Sequence, residues 1–385
     1  MTLQPWPRPC ASHSLALYQP QAIRRRLLGR LLCWVLLMQP ALALADLNQR
    51  LKDIEDELEK IRQHSGLNED SSEVSLYGAL RPAQTLVIDD GESSSDLQDA
   101  LSFMGIRGST RVMDNSRLFF ASEWPILLAE QGQLDGGRNV YAGLSGPYGQ
   151  LTVGKQHPPQ YQLIGKHVDI FHHGNSPFGY LATATSQAPN AGFNHRFADN
   201  SIQYQFAAFN VGIISAIKTD GQSGEDHADF INAGLYYSDE SGYLSYAYLD
   251  ATAADSGDQN LSGDQMISHA IAAYTHLGPT YLAAAYQRIR FTPFLNQEQQ
   301  RSSIDVVMRR PIDRRYNLAA GYFRYHDDES PAISRSFKGI NLTLEYSLAS
   351  NAMLYTSLMN SRYQTQPHYQ EWRVGLKYEF YARLR

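Results

Sequence analysis

The chain of 385 residues has little cysteine, no excess of positive charge and no long apolar stretch after its first 45 residues. Its two cysteines are Cys10 and Cys33, so no disulfide framework is expected in the rest of the chain. A formal net charge of −6 argues against a nucleic-acid partner, which would favour a basic protein. Because a membrane-spanning helix needs a run of roughly 18 or more apolar residues, the sequence also argues against a helical membrane protein.

The motifs by which many enzymes are recognised are missing as well. The sequence contains no G-x-S-x-G, no phosphate-binding loop, no H-E-x-x-H and no dinucleotide fingerprint. We therefore expect neither catalysis nor a cofactor. His167, His172 and His173 lie close together, but their spacing matches no metal motif and no cysteine accompanies them. We expect these histidines to form hydrogen bonds or face water rather than bind a metal.

The first 45 residues have the order of a secretory signal peptide. They contain five arginines and no acidic residue. The basic segment 24–30 is followed by the apolar segment 31–38 and by the small-residue site Ala43-Leu44-Ala45. This pattern predicts a cleaved signal peptide over residues 1–45 and export of the remaining chain.

A short helix is predicted over residues 46–66, followed by a polar linker over residues 67–73. Apolar residues recur there at heptad spacing between charged ones. These apolar residues are Leu47, Leu51, Ile54, Leu58 and Ile61. A helix of this length is marginal by itself, so an amphipathic surface helix and a short oligomerising stalk both remain open.

From residue 74 onward, apolar and polar residues alternate with the period of β-strands. In the last strand, Trp372, Val374 and Leu376 alternate with Arg373, Gly375 and Lys377. Similar alternation recurs over residues 201–206 and 340–347. A β-sandwich and a β-barrel both produce this pattern, so alternation alone does not decide between them.

The connections between strands favour a barrel, because short and long ones take turns. The short ones lie at 146–149, 239–242, 277–280, 311–314 and 348–351. The long polar ones lie at 219–229, 251–264, 292–303, 326–337 and 361–368. This asymmetry is typical of transmembrane barrels with short periplasmic turns and long external loops. We predict an all-β fold, an antiparallel up-and-down transmembrane β-barrel of about 16 strands over residues 74–385, whose last strand closes against residues 74–81.

The many tyrosines fit such a barrel as interfacial girdles near the strand ends. They are Tyr236, Tyr237, Tyr243, Tyr246, Tyr248, Tyr274, Tyr281, Tyr286, Tyr322, Tyr325, Tyr355, Tyr378 and Tyr381.

Several segments, in order, resemble the Gram-negative general porins. The most specific is residues 139–156, which is similar to the strand-turn-strand motif G-L-x-G-x-F-G-x-L-x-x-G-R-Q of that family. Shorter similarities occur at 75–78, 104–108, 196–204 and 345–355. Tyr148 and Lys155 replace the more usual Phe and Arg, and five residues follow Phe380, where porins usually end on an aromatic residue. Either the closing strand is longer here or the assembly signal is internal.

The resemblance implies a homotrimer in the cell outer membrane, in contact with lipid and lipopolysaccharide, that lets small hydrophilic solutes and ions diffuse through a water-filled channel. It places residues 157–198 inside the lumen as a constriction loop. By motif match, Arg107, Lys155 and Arg196 line the pore wall and face Asp169 on the loop. Arg117 and Glu123 are weaker candidates.

The selectivity of such a pore stays open. The basic candidates outnumber the acidic ones, which favours anions, whereas acidic residues in the external loops could attract cations or bind divalent ions among lipopolysaccharide. Two other functions are also open. One is a substrate-specific channel for sugars or anions, and the other is a structural protein whose N-terminal helix tethers the outer membrane to the cell wall.

Overall fold

The computed structural model of this chain describes residues 72–89, 91–113, 115–128, 133–134, 136–172, 197–218, 230–253, 264–292, 298–328, 336–364 and 368–384. The predicted signal peptide and the predicted helix over residues 46–66 lie outside these ranges. The helix that the structure shows is internal and lies within the connection between two strands. In the described part of the chain, no helix has the length and apolar character needed to cross a membrane.

Almost all described residues belong to one antiparallel sheet. Its strand segments are β1 (Ser72–Leu80), β2 (Pro82–Asp89), β3 (Glu92–Asp99), β4 (Phe103–Met113), β5 (Ser116–Leu127), β6 (Gln133–Leu134), β7 (Asn139–Gly146), β8 (Gly149–Gln156), β9 (Ala198–Ala208), β10 (Val211–Lys218), β11 (Phe230–Ser238), β12 (Gly242–Ala253), β13 (Asp264–Leu277), β14 (Thr280–Thr292), β15 (Gln299–Pro311), β16 (Tyr316–Asp327), β17 (Phe337–Ala349), β18 (Ala352–Tyr363) and β19 (Tyr369–Leu384). A π-helical turn (Tyr161–Gly165) continues into an α-helical turn (Lys166–Val168), and together they are called the loop helix below.

The segments combine into a closed barrel of sixteen strands among the described residues. β1 and β2 pair with the same strand, β19, and form one barrel strand interrupted at Arg81. β3 and β4 likewise form the second barrel strand, and β6 is a two-residue segment beside the end of β5. The barrel closes where β1 pairs with β19, from Val74 opposite Leu384 to Leu80 opposite Tyr378. The predicted all-β barrel and its closing pair are confirmed.

The closing strand is longer than the alternation over residues 372–380 alone indicates. β19 continues past Phe380 to Leu384, and Tyr381 to Leu384 pair with Tyr77 to Val74 of β1. Of the two possibilities that the sequence left open, the longer strand is therefore the one observed. Backbone pairing with β1 gives these last residues a place in the barrel wall.

The two ends of the barrel differ in their connections, as the sequence indicates. Tight turns join β7 to β8, β11 to β12, β13 to β14, β15 to β16 and β17 to β18. In the β11–β12 turn, Asp239 Oδ1 accepts hydrogen bonds from Ser241 Oγ at 2.6 Å and from the backbone N–H of Ser241 at 2.8 Å. Bonds from Ser241 and from the Tyr237 hydroxyl lower the pKa of Asp239 to about 2, because they favour its charged form.

The two faces of the strands have opposite character. On β9, Ile202 and Tyr204 are exposed on the outer face, whereas Ser201 and Gln203 are buried on the inner face. An apolar outer face suits lipid and a polar inner face suits a water-filled lumen, which is the alternation of a transmembrane barrel.

The tyrosine girdle prediction is wrong for part of the set. Several of these tyrosines are on the inner face, where they pack against buried residues of the lumen. They are Tyr236, Tyr243, Tyr274, Tyr281, Tyr325 and Tyr355. Strand-end position does not distinguish the two faces, and tyrosine serves here both to cover the outer surface and to pack against the segment that enters the barrel.

Candidate pore constriction

The chain enters the barrel directly after β8. Residues 157–172, called the inner segment below, run from the end of β8 past β11–β15 to contacts on β17–β19. Its backbone is held by side chains of the wall. The N–H of Gln160 donates to Asn232 Oδ1 at 2.6 Å, and the Ser245 hydroxyl donates to the Leu163 carbonyl oxygen at 2.7 Å. The Tyr281 hydroxyl donates to the carbonyl oxygen of His167 at 2.8 Å.

The apolar side of the inner segment is buried against a wall of small residues. Leu163, Ile164, Val168 and Phe171 belong to one buried cluster with residues of the barrel wall. The alanines of that cluster on the wall are Ala198, Ala247, Ala251, Ala270, Ala272, Ala283, Ala285 and Ala319. Larger side chains at these positions would fill the space that the segment occupies, so the alanines explain why it can lie so close to the sheet.

Gly234 on β11 serves the same close packing. A Cβ built at Gly234 would collide with the Leu163 side chain and with the carbonyl oxygen of Tyr246. Glycine is therefore needed at this position by the close approach of the loop helix and of the neighbouring strand.

The far end of the inner segment is fixed by an ionic cluster. His172 Nε2 lies 2.8 Å from Glu345 Oε1, and Arg309 donates to the other carboxylate oxygen at 2.5 Å. The carbonyl oxygen of His172 accepts from the Tyr355 hydroxyl and from the Arg373 guanidinium, each at 3.4 Å. Burial lowers the pKa of His172, and Glu345 opposes that shift.

His167 belongs to the loop helix, and its ring lies among aromatic side chains of the wall. The centroid of its ring is 4.2 Å from that of Tyr243 and 5.1 Å from that of Tyr274. Burial, assisted by the charge of Lys166, lowers the pKa of His167 to about 4. The imidazole is therefore neutral at pH 7. Burial of the neutral ring costs less free energy than burial of the charged ring would.

Two of the predicted pore residues lie on neighbouring strands of the wall. Arg107 on β4 is exposed, donates from Nε to Ser75 Oγ at 3.3 Å and lies over the rings of Tyr77 and Tyr381. Glu123 on β5 is only 8% exposed. It accepts from the Tyr77 hydroxyl and from Asn139, each at 2.9 Å, and it is 3.3 Å from Arg138.

The other predicted pore residues are spread over the structure. Asp169 follows the loop helix, half-buried, and accepts from the Tyr161 hydroxyl at 3.4 Å. Arg117 is exposed on β5 near the short-turn end, opposite Ser145. Lys155 on β8 is half-buried. In the pairing of β7 with β8 it lies opposite Val140, whose side chain is exposed on the outer face. Arg196 lies outside the described residues.

The carboxylates and cations of the lumen are unequally matched. Glu123, Glu345, Glu371 and Glu379 each lie within 4.0 Å of an arginine or lysine nitrogen. Within the described ranges, Arg107 and Lys166 have no carboxylate within that distance. Residues 157–198 contain Asp169 as their single acidic residue. The described lumen therefore presents cations whose charge is not neutralised by a neighbouring acid.

Sequence reasoning missed the residues that hold the inner segment. Glu345 and Arg373 stand at polar positions of strands whose alternation was recognised, which could have placed both in the lumen. Their contact with His172 has no local signal, because Glu345 is 173 residues away along the chain. In the described part of the chain, no group of three or more His, Cys, Asp or Glu residues is placed to hold a metal ion.

Comparison with known proteins identifies the family. A family model described as Gram-negative porin matches residues 40–366. The chain belongs to this family. Outer membrane protein U of Vibrio parahaemolyticus is 25% identical over 252 residues, which cover 57% of this chain and 72% of that protein.

Solved structures share the fold at lower identity. The anion-selective porin from Comamonas acidovorans superposes with a TM-score of 0.70 at 19% identity, covering 80% of this chain and all 100% of that one. The trimer form of OmpT from Vibrio cholerae gives 0.64 at 14% identity, covering 81% and 100%. OmpF of Salmonella typhi gives 0.63 at 16% identity, covering 82% and 99%. The porin is thus an outer-membrane channel through which solutes diffuse.

Proposed function

We propose that this porin is a passive channel for small hydrophilic solutes and ions with a preference for anions. Its narrowest part lies between the inner segment and the wall formed by β1, β4 and β5. The observation that carries the proposal is the charge of this passage: Arg107 and Lys166 have no carboxylate partner among the described residues, whereas the lumenal glutamates named above are paired.

Charged groups at a constriction set ion preference because the surrounding low-dielectric wall focuses their field into the passage. Lys166 extends from the loop helix and is exposed, and Arg107 is exposed on the wall. Arg196, from the same connection as Lys166, adds a further cation in this proposal, and Asp169 opposes them. Glu123 orients Tyr77 and Arg138 through its hydrogen bonds and ion pair, so it supports the wall.

The reversal potential of purified protein in a planar bilayer tests the proposal. Across a potassium chloride gradient, we expect a potential of the sign produced by chloride permeation. R107Q and K166Q should each shift the reversal potential toward the sign produced by potassium permeation. The double variant should shift it further. R314Q removes an exposed cation from a short turn and should leave the potential unchanged. A cation-selective potential in the unaltered protein would overturn the anion preference.

A substrate-specific channel is the second candidate, and one observation favours it. The inner-face rings of Tyr236, Tyr243, Tyr274 and Tyr281 form one contiguous cluster, with the exposed His276 beside Tyr274 and Tyr281. Such a surface suits flat or ring-shaped solutes. It predicts saturable flux and block of single-channel current by the preferred solute. Flux that stays proportional to solute concentration would exclude it.

We also propose that three chains assemble into a homotrimer, as in the trimer form of OmpT from Vibrio cholerae. The predicted signal peptide is removed before assembly, and the predicted helix over residues 46–66 acts as a stalk that helps the trimer. Deletion of residues 46–66 should then lower the fraction of trimer in native mass measurements. If the helix instead tethers the membrane to the cell wall, the deletion weakens the envelope and leaves the trimer intact.

A further inference from the structure

The two ends of the connection between β8 and β9 meet in one group of stacked rings. His157 follows β8, and Phe197 precedes β9. Their ring centroids are 4.5 Å apart, and the angle between the ring planes is 28°. The ring of His157 also lies 4.6 Å from that of Tyr161 in the loop helix, centroid to centroid. The start of the inner segment is thus packed against the residue at which the chain returns to the barrel.

A guanidinium joins these rings to the barrel wall. Arg138, the residue before β7, has its Cζ atom 5.2 Å from the ring centroid of Phe197 and 4.3 Å from that of Phe103 on β4. A cation within about 6 Å of an aromatic centroid, over the face of the ring, is attracted by the ring quadrupole. Five side chains are called the base stack below. They are Phe103, Arg138, His157, Tyr161 and Phe197.

Arg138 is itself held by the wall at several atoms. Its backbone N–H donates to the carbonyl oxygen of Glu123 at 2.9 Å, and its Nε lies 3.3 Å from Glu123 Oε2. Its Nη1 donates to the carbonyl oxygen of Leu101 at 3.5 Å, and Leu101 has a φ of 69°. A leucine rarely adopts this left-handed conformation, which persists only where the surrounding structure imposes it. The wall therefore determines where the guanidinium lies.

Other hydrogen bonds near this point connect the two ends of the connection with each other. Gln156 Nε2 donates to Ser201 Oγ at 3.3 Å, and Gln162 Nε2 donates to Gln203 Oε1 at 3.2 Å. These bonds join β8 and the inner segment to β9. The base stack differs from them because its guanidinium also reaches β4 and β5.

The position of Arg138 suits an arginine. A planar guanidinium stacks on aromatic faces and is more weakly hydrated than an ammonium group, so its contact with rings costs less desolvation. The side chain is 18% exposed, and a cation–aromatic contact strengthens as water is withdrawn from it. The nearby carboxylate of Glu123 pairs the charge, which makes its partial burial tolerable.

We propose that Arg138 is a positioning residue for permeation. Through the base stack it fixes the start of the inner segment against β4 and β5, the strands that carry Arg107 and Glu123, and so sets the width of the passage. This inference rests on the proposed passage but not on its preference for anions. When the contact between Arg138 and Phe197 is lost, the inner segment leaves the wall more often and the passage widens.

Single-channel recording of the purified full-length protein in a planar bilayer tests this role. R138Q removes the cation, whereas F197L removes the ring and leaves Arg138 beside Glu123. Each should raise the ratio of time at higher conductance to time at lower conductance by about fivefold to thirtyfold, the factor expected for loss of a partly desolvated cation–aromatic contact. R138Q/F197L should match R138Q, because both changes remove the same contact.

Three further variants complete the test. R138K keeps a cation near the two rings, so its ratio should be closer to that of the unaltered protein than the ratio of R138Q is. F209L and R288Q are matched controls and should leave the ratio unchanged. Phe209 is exposed on the turn after β9, and Arg288 is exposed on β14. Heat-modifiable migration on a gel shows which variants contain a folded barrel, and F197L carries the test if R138Q does not fold.

The outcomes separate this role from the ion preference. A ratio in F197L equal to that of the unaltered protein would overturn the role of the base stack, as would equal ratios in R138K and R138Q or multiplied effects in the double variant. None of these results would affect the proposed anion preference, which the reversal potential reports. A cation-selective potential in the unaltered protein would overturn that preference and leave the role of Arg138 intact.

Discussion

Glu345 joins the far end of the inner segment to the wall of the barrel. Its side chain is 0% exposed and joins His172 of the segment to Arg309 of the wall. A carboxylate buried to this extent is tolerated because both of its oxygens are paired. Removal of the carboxylate leaves an imidazole and a guanidinium without their acceptor.

E345A should therefore loosen the end of the inner segment, with a loss of about 1–3 kcal/mol from the unpaired donors. In single-channel recordings we expect a larger and noisier conductance. E379Q is the control, because Glu379 pairs with Lys377 on the same wall and makes no hydrogen bond to the inner segment among the described residues. A conductance of E345A equal to that of the unaltered protein would show that the aromatic and apolar contacts hold the segment by themselves.

His167 makes the docking of the inner segment depend on pH. Its pKa in the folded protein is about 4, below the ordinary value of about 6.5, so protonation favours the state in which the ring is exposed to water. The docked position is therefore fully stable above pH 6.5 and loses stability as the pH falls toward 4. Current fluctuations in a bilayer should increase over that range.

The variant H167F tests this assignment, since it keeps a ring beside Tyr243 and Tyr274 but does not titrate. Its current fluctuations should be nearly the same at pH 7 and pH 4.5. If they still rise on acidification, the titration belongs to another group. His172, whose pKa is also lowered by burial, is then the first to examine.

At the level of elements, the fit between the inner segment and the wall depends on small residues. Ala272 and Ala273 are neighbours on β13, but Ala272 is 1% exposed against the buried lumen cluster whereas Ala273 is exposed on the outer face. A272L should displace the inner segment, because added methylenes in a close-packed region cost about 1–3 kcal/mol. A273L should be tolerated, since it places leucine toward lipid.

The two variants are compared by single-channel conductance and by the temperature at which the folded barrel is lost. We expect A272L to change both and A273L to change neither. Equal behaviour of the two would mean that the wall yields to the larger side chain without moving the segment.

The C-terminal end of the closing strand, β19, contributes to folding of the barrel. Tyr381 to Leu384 pair with β1, so deletion of residues 381–385 removes part of the seam that closes the barrel. Unpaired backbone groups in a membrane are costly, and we expect a smaller yield of folded protein, measured by heat-modifiable migration on a gel. Replacement of residues 382–385 by alanine keeps the backbone bonds and should restore folding.

At the scale of the whole molecule, much of the fold follows from sequence and less of the pore does. The alternation of apolar and polar residues predicts which side chains of a strand face outward and which face the lumen. The positions of Gly and Pro, together with the polar stretches, predict where the connections between strands lie. The contact between His172 and Glu345 depends on where a segment crosses the lumen, which no periodicity records. The place of Lys155 depends on a register shift between Gly154 and Gln156, and a motif match does not specify it.

The closing seam also has a consequence for the order of folding. It joins residues far apart in the chain, as the ion pair between Glu73 and Arg383, separated by 310 residues, illustrates. Contacts of such long range form slowly, because the loop they close must lose its conformational freedom first. The first strand must therefore wait with an unpaired edge until the last strand has arrived. An exported chain of this topology needs protection from aggregation during that interval, and its final residues determine when the interval ends.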